Sequence, residues 1–147
     1  MTATPDFEFV DRVTSDLSFV ARGARVEDVF AASAEALLAA TLDDPATVAA
    51  REHCSLSLEE PELELLMPRF LNELIYWRDA KQLLLRADTL RIWRDAAVRL
   101  EARLAGERID PERHRLEGEV KAATAHDLRV RQVNGDGWWE AAVTLDV

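Results

Sequence analysis

The feature that most constrains the fold of this chain is a repeated change in the spacing of its apolar residues. From Val98 to Leu104 apolar residues alternate with charged ones, which is the period of a strand that buries one face. From Val26 to Leu38 apolar residues instead recur on one face of a helix. Segments with these two periods follow one another as strands, helix, strand, helix and strand meander, which predicts an α+β domain.

The first half of the chain is expected to contain three strands and one helix. Residues 7–22 are rich in β-branched and aromatic residues, with a turn predicted at Thr14-Ser15-Asp16 between two strands. The helix that begins at Val26 should end at Asp43-Asp44-Pro45, because the proline forces its predecessor out of the α region. A third strand is predicted over 54–58, where apolar residues alternate with serines.

A second helix is predicted after Pro61, with Pro68 as its one difficulty. An interior proline removes a hydrogen bond at a cost of about 3 kcal/mol, so the helix either bends at Pro68 or begins later than Pro61. Strands are expected to follow, including a hairpin around Arg94-Asp95, a strand over 119–131 and a last strand near the chain end. The segment Asn134-Gly135-Asp136-Gly137 predicts the turn between the last two strands.

The size and composition fit one two-layer domain over residues 1–147, in which an antiparallel or mixed sheet packs with two main helices. A chain of 147 residues buries roughly two-thirds of its unfolded surface and needs no disulfide for its core. The single Cys54 cannot form an internal disulfide, which fits a reducing compartment. Neither an apolar run of about 20 residues nor a basic signal-peptide start is present, so we predict no membrane association and a cytoplasmic location.

The net charge of −10 restricts the partners that the chain is expected to bind. Nucleic acids are polyanions and their binders usually present a basic surface, so strong direct nucleic-acid binding is not predicted. Arginines cluster between Arg91 and Arg115, but acidic residues are interspersed among them, which is typical of the solvated face of a sheet. A chain this acidic is better suited to a cation or to a basic protein surface.

The common catalytic motifs are absent from the sequence. It contains no GxGxxG, no Walker loop, no GxSxG and no HExxH. His53 and Cys54 are adjacent rather than at chelating spacing, and His114 and His126 have no cysteines at zinc-finger distance. We therefore interpret His53 and His114 as surface residues, and Cys54 as a buried apolar residue of its strand.

Several segments together are similar to one known family. They are Thr14-Ser15-Asp16-Leu17, Gly23 with Val26-Glu27-Asp28-Val29-Phe30, Leu71-Asn72-Glu73-Leu74-Ile75-Tyr76, Gly106-Glu107 with Asp110 and His114, Glu119 to His126, and Trp138 or Trp139 with Leu145-Asp146-Val147. In this order, over nearly the whole chain, the set resembles the archease family. The chain departs from the family pattern at Val13, Ser15 and Ala125, where histidine, alanine and tyrosine are usual.

The resemblance implies an accessory protein and not an enzyme. Archeases assist the RtcB-type RNA ligase, promoting its guanylylation and multiple turnover in tRNA splicing or RNA repair. The family pattern also implies a divalent cation, with calcium expected, held by Asp16, Asp146 and Val147. It further implies that Lys121 belongs to a surface that activates the partner ligase, with His126 as a second residue of that surface.

The residue types agree with a cation site on physical grounds alone. Calcium and magnesium bind oxygen ligands, and Val147 as the C-terminal residue would supply an α-carboxylate beside Asp146. If Asp16 approaches both, each close carboxylate pair repels by roughly 4 kcal/mol at about 4 Å and an effective dielectric of about 20. Such a cluster needs a cation, a basic partner group or a raised carboxyl pKa. The other interpretation is that the chain end frays and Asp146 is solvated.

Alternatives of a different kind remain open from the sequence. Lys121 can equally be an exposed sheet residue that pairs with Glu119. The chain can be a small metal-dependent hydrolase that uses Asp16 and Asp146, although no nucleophile, base and orienting group occur together. It can also be a chaperone-like binding module, with its acidic surface and the Trp138-Trp139 pair as contacts.

Overall fold

Helices and strands occur in the order that the sequence predicts. The computed structural model describes residues 5–133, 135 and 137–147, and within them it contains two α-helices and seven strands. In chain order they are β1 (Phe7–Val13), β2 (Asp16–Gly23), α1 (Val26–Thr41), β3 (Glu52–Glu60), α2 (Leu63–Lys81), β4 (Leu83–Arg94), β5 (Val98–Arg108), β6 (Ala122–Gln132) and β7 (Trp139–Asp146), with a 3₁₀ turn at Pro45–Thr47. The α+β class with two main helices is confirmed. Neither helix in this part of the chain is long and apolar enough to cross a membrane.

The strands form two antiparallel sheets. The first has the order β1-β2-β7-β6 and the second has the order β3-β5-β4. The sequence predicted antiparallel or mixed pairing but not this division, because alternation specifies which face of a strand is buried and not which strand it pairs with. The pairing of β2 with β7 places the beginning of the chain next to its end.

Each helix contacts both sheets, and the helices thereby join the sheets around one core. α1 packs on β2 and β4, whereas α2 packs on β6, β4 and β3. The ring centroids of Phe30 on α1 and Phe70 on α2 lie 5.8 Å apart, and both side chains are inaccessible to solvent. The predicted alternation of β5 is confirmed, since Val98, Leu100 and Leu104 are buried in this core.

The position of Pro68 explains how α2 tolerates an interior proline. The helix begins at Leu63, later than Pro61, so that Pro68 lies in its second turn. The missing N–H would have bonded the carbonyl of Glu64, and Glu64 is exposed, so water can satisfy that carbonyl. The helix continues to Lys81 beyond the proline, as expected.

The arginine-rich segment forms a solvated sheet face, as predicted. Arg99 and Arg103 alternate with buried residues of β5 and face away from the core. Arg99 pairs with Glu59 at 3.1 Å and with Asp95 at 2.9 Å, while Arg103 lies 4.0 Å from Asp88. Because these guanidinium groups already face carboxylates, this side of the second sheet is not a free basic surface.

β6 differs most from its predicted form. It begins at Ala122 rather than Glu119, and its pairing with β7 is interrupted between Thr124 and Arg129. The residues of β7 that face these two positions are only two apart in sequence, so residues 125–128 bulge out of the ladder. The bulge adds three residues to β6, so the buried positions change from the odd-numbered Ala123 before it to the even-numbered Val130 after it. The prediction of one regular strand over 119–131 did not include this change.

The predicted turn before the last strand agrees with the pairing of its neighbours. β6 and β7 are adjacent and antiparallel, as a hairpin requires. Asn134 and Asp136 lie outside the described residues. Gly135 and Gly137 have φ values of +72° and +80°, a region that side chains other than hydrogen rarely adopt, which accounts for glycine at both positions.

Candidate metal and partner site

Asp16 and Asp146 face each other across the central strand pair of the first sheet. Asp16 is the first residue of β2, Asp146 is the last residue of β7, and the two are register partners. The N–H of Val147 donates to the carbonyl of Ser15 at 2.9 Å. That bond makes the aspartates a pair without backbone hydrogen bonds to each other, the kind whose side chains lie closer together. The backbone at this end is therefore hydrogen-bonded within the sheet.

Both aspartates lie on the outer face of the sheet. The adjacent residues Leu17 and Leu145 are buried in the core, so strand alternation directs Asp16 and Asp146 away from it. Both aspartates and Val147 are partly exposed. A cation or a partner protein can therefore approach them from solvent.

Within residues 5–133, 135 and 137–147, no basic side chain forms an ion pair with either aspartate. Like charges directly opposite each other on neighbouring strands are destabilising. Within the same residues, no group of three or more His, Cys, Asp or Glu side chains is arranged to hold a metal ion. A cation site here would therefore take its further donors from main-chain oxygens, such as those of Val147, from water or from another molecule.

The available donors fit a hard divalent cation. Asp16, Asp146 and Val147 offer only oxygen atoms, which calcium and magnesium prefer over nitrogen and sulfur. Calcium takes about 6–8 oxygen ligands, so three residues leave coordination positions for water or for an oxygen of another molecule. The arrangement suits an exposed site that is completed from outside the chain.

Lys121 lies next to the aspartate pair on the neighbouring strand. Its N–H donates to the carbonyl of Asp146 at 2.7 Å, one residue before β6 begins. Its side chain is exposed, and within the described residues it forms no ion pair with Glu119 or with any other carboxylate. The structure thus brings Lys121 to the same end of the first sheet as Asp16 and Asp146.

His126 is not brought to this end of the sheet. It lies in the bulge of β6, beyond Thr124, which already faces Thr144 rather than Asp146. Its Nε2 is 3.3 Å from a carboxylate oxygen of Asp127, and both side chains are largely exposed. The sequence grouped Lys121 and His126 on one surface, but the strand between them separates His126 from the aspartates.

A buried cluster around Glu107 was not predicted from the sequence, and the prediction that His114 is a surface residue is wrong. His114 is 1% exposed, so it is not a surface residue. Its Nδ1 accepts the N–H of Asp110 at 2.8 Å, which leaves the ring proton on Nε2 to donate to Glu107 at 3.0 Å. The short spacing from Glu107 through Asp110 to His114 was visible in the sequence. Spacing alone does not show that the loop folds back on its own strand.

Glu107 is surrounded by donors from two segments. The N–H of Ala49 donates to it at 2.7 Å, Arg113 and His114 donate from the following loop, and the guanidinium of Arg51 lies 3.3 Å away. Burial by itself would raise the pKa of Glu107, but the N–H of Ala49 and the side chains of His114 and Arg113 outweigh it. They lower the pKa from 4.5 to about 2. The cluster fastens the 45–51 segment and the 109–114 loop to β5, away from the aspartate pair.

Comparison with known proteins identifies the family. A family model described as the Archease protein family (MTH1598/TM1083) matches residues 7–147. This chain belongs to the archease family. The matched range contains Asp16, Lys121, Asp146 and Val147, and the resemblance expected from the ordered motifs is confirmed.

Individual archeases are similar to this chain over most of their length. The chain is 32% identical over 135 residues to the protein archease of Pyrococcus abyssi, covering 91% of this chain and 94% of that protein. It is 34% identical over 135 residues to the protein archease of Thermococcus gammatolerans, with coverage of 91% and 94%. The solution structure of Methanobacterium thermoautotrophicum protein 1598 matches with a TM-score of 0.82 and 31% identity, covering 98% of this chain and 100% of that one. This chain therefore shares its fold with that protein over nearly the whole length of both.

Proposed function

We propose that this archease is a non-enzymatic accessory protein that activates an RtcB-type RNA ligase in the cytoplasm. It would promote guanylylation of the ligase and its multiple turnover in tRNA splicing or RNA repair. Family membership supports this proposal, and so does one structural observation. Asp16, Asp146 and Lys121 meet at one exposed end of the first sheet, where the aspartate charges have no partner within the described residues.

The aspartate pair is proposed to hold a divalent cation, with calcium as the expected ion. Asp16 and Asp146 would supply carboxylate oxygens from adjacent strand ends, and Val147 would supply main-chain oxygen. A bound cation would remove the repulsion between the two carboxylates. It would also present open coordination positions to an oxygen of the ligase.

Lys121 is proposed to make the activating contact with the ligase. Its ammonium group offers three donors on a flexible stem, and it is exposed beside an anionic pair. The ligase, and not its RNA, is the proposed partner, because the net charge of −10 opposes tight binding of a phosphate backbone. His126 is a weaker candidate for the same surface, since it lies farther along β6 from Asp146.

A ligation assay with the RtcB-type ligase of the same genome tests this function. The substrate is RNA with a 2′,3′-cyclic phosphate or 3′-phosphate end and a 5′-hydroxyl end, and ligase guanylylation is followed in parallel. Sub-stoichiometric archease should accelerate guanylylation or convert a single turnover into many. The absence of any effect on the ligase would contradict the proposal. Turnover of a substrate by the purified protein alone would instead support the hydrolase alternative.

A further inference from the structure

Two side chains of α2 bond to the backbone on either side of Lys121. The amide of Asn72 donates to the carbonyl of Ala123 at 3.0 Å and accepts the N–H of the same residue at 2.8 Å. β6 is an edge strand of the first sheet, so its outer side has no strand partner. At Ala123, two positions after Lys121, the side chain of Asn72 makes the two backbone hydrogen bonds that a neighbouring strand would otherwise make.

Arg78 makes the corresponding contact on the other side of the lysine. Its Nη2 donates to the carbonyl of Val120 at 2.6 Å, and its side chain is only 12% exposed. Val120 itself is fully buried. The residues immediately before and shortly after Lys121 are therefore both fastened to α2.

The opposite side of the same backbone is fastened to the aspartate pair. The N–H of Lys121 donates to the carbonyl of Asp146 on β7. The exposed lysine side chain has no ion-pair partner among the described residues that could hold it in place. Its position relative to Asp16 and Asp146 is consequently determined by the backbone, which is held between α2 and β7.

We propose that Asn72 and Arg78 are positioning residues for Lys121. They hold the 120–123 backbone against α2. In this way they set the distance between the lysine ammonium and the aspartate pair, and a partner that contacts both groups simultaneously has to match that distance. This inference rests on the proposed activating role of Lys121.

The inference predicts different effects of these residues on activation of the ligase and on the stability of the fold. Asn72 is exposed but Ala123 is buried, so loss of the two bonds should also lower the free energy of unfolding, by an amount that melting measures separately. A lost bond at this place still frees the backbone beside Lys121, and small displacements of a contact group can lower activity strongly. A positioning residue should therefore reduce activation of the ligase more than it reduces the melting temperature.

The test compares Asn72→Leu and Arg78→Met with the control Glu73→Leu on the same helix, since Glu73 makes no side-chain hydrogen bond among the described residues. Amide hydrogen exchange is measured by NMR together with ligase stimulation. We expect faster exchange at Ala123 and Lys121, and a several-fold loss of stimulation, in the two test variants only. Arg78→Lys retains one donor and should restore part of the stimulation that Arg78→Met loses.

Combination with Lys121→Ala decides whether α2 acts through the lysine. In the Lys121→Ala background, Asn72→Leu should cause no further loss of stimulation. A full additional loss there, or exchange and stimulation equal to those of Glu73→Leu, would overturn the inference. If the wild-type protein does not stimulate the ligase, the proposed function is wrong. The exchange measurement then decides by itself whether α2 holds this segment, and unchanged exchange refutes that part too.

Discussion

Two acidic regions of this protein differ in whether their negative charge is balanced by other groups of the chain. Glu107 accepts hydrogen bonds from the N–H of Ala49 and from the side chains of His114 and Arg113, so groups of the chain itself stabilise its negative charge. Asp16 and Asp146 stand directly opposite each other, and no described side chain of positive charge pairs with them. The first region supports the fold, whereas the second is where we propose that a cation from outside the chain binds.

Removal of Glu107 should produce the largest loss of stability. Glu107→Ala leaves His114 and the N–H of Ala49 without their acceptor in a region with little access to water. Breaking a buried pair by deleting one partner costs about 3 kcal/mol, toward the lower end of the usual range because Arg113 can return to solvent. Denaturant unfolding measures the loss, with Glu101→Ala, an exposed change on the same strand, as control. Equal midpoints for the two variants would show that the cluster does not stabilise the fold.

The contribution of Glu107 to the free energy of unfolding should also depend on pH. The folded-state pKa of Glu107 is lowered from 4.5 to about 2, so its stabilisation is present above pH 4.5 and is lost as the pH falls toward 2. A shift of this size corresponds to about 3 kcal/mol. Unfolding free energies of wild type and Glu107→Gln, measured between these two pH values, should converge at the acidic end. Parallel curves would contradict the assignment.

The fold was predictable from the sequence where it depends on local pattern. The alternation in β5 and the helical period of α1 gave the correct elements, because each records which residues face the core. The pairing of β2 with β7 was not predictable in this way, since register between distant strands leaves no trace in local alternation. That pairing is what brings Asp16 to Asp146.

The candidate site was predictable through its motifs, and only partly through its chemistry. Resemblance to archeases named Asp16, Asp146 and Lys121 before any geometry was known. His114 was assigned to the surface because an isolated histidine carries no sign of burial. The contacts of Asn72 and Arg78 with β6 depend on how α2 lies against an edge strand, which the helical period does not report.

Neutralisation of one aspartate should leave the metal-free fold intact or slightly more stable. Asp16→Asn and Asp146→Asn remove one charge from a like-charged cross-strand pair, a gain of up to about 1 kcal/mol. Thermal melting in the presence of a chelator measures the change. A marked loss of stability would mean that the carboxylates have a partner that supports the fold, as Glu107 does.

Lys121→Ala should have the smallest effect on stability and a large effect on the ligase. An exposed side chain without contacts in the core changes the free energy of unfolding by less than about 0.5 kcal/mol. Lys81→Ala, at the exposed end of α2, is the matched control, because these are the two lysines of the chain. Stimulation of the ligase should fall for Lys121→Ala alone. Unchanged stimulation, or a large fall in melting temperature, would make Lys121 a structural residue.

Calcium titration by calorimetry tests the difference between the two acidic regions most directly. Wild type should bind calcium, and affinity should fall strongly for Asp16→Asn and for Asp146→Asn, since affinity in oxygen sites follows ligand charge. Glu101→Gln should bind as wild type does. Equal calcium affinity in all these proteins, or no binding by wild type, would show that Asp16, Asp146 and Val147 form no cation site.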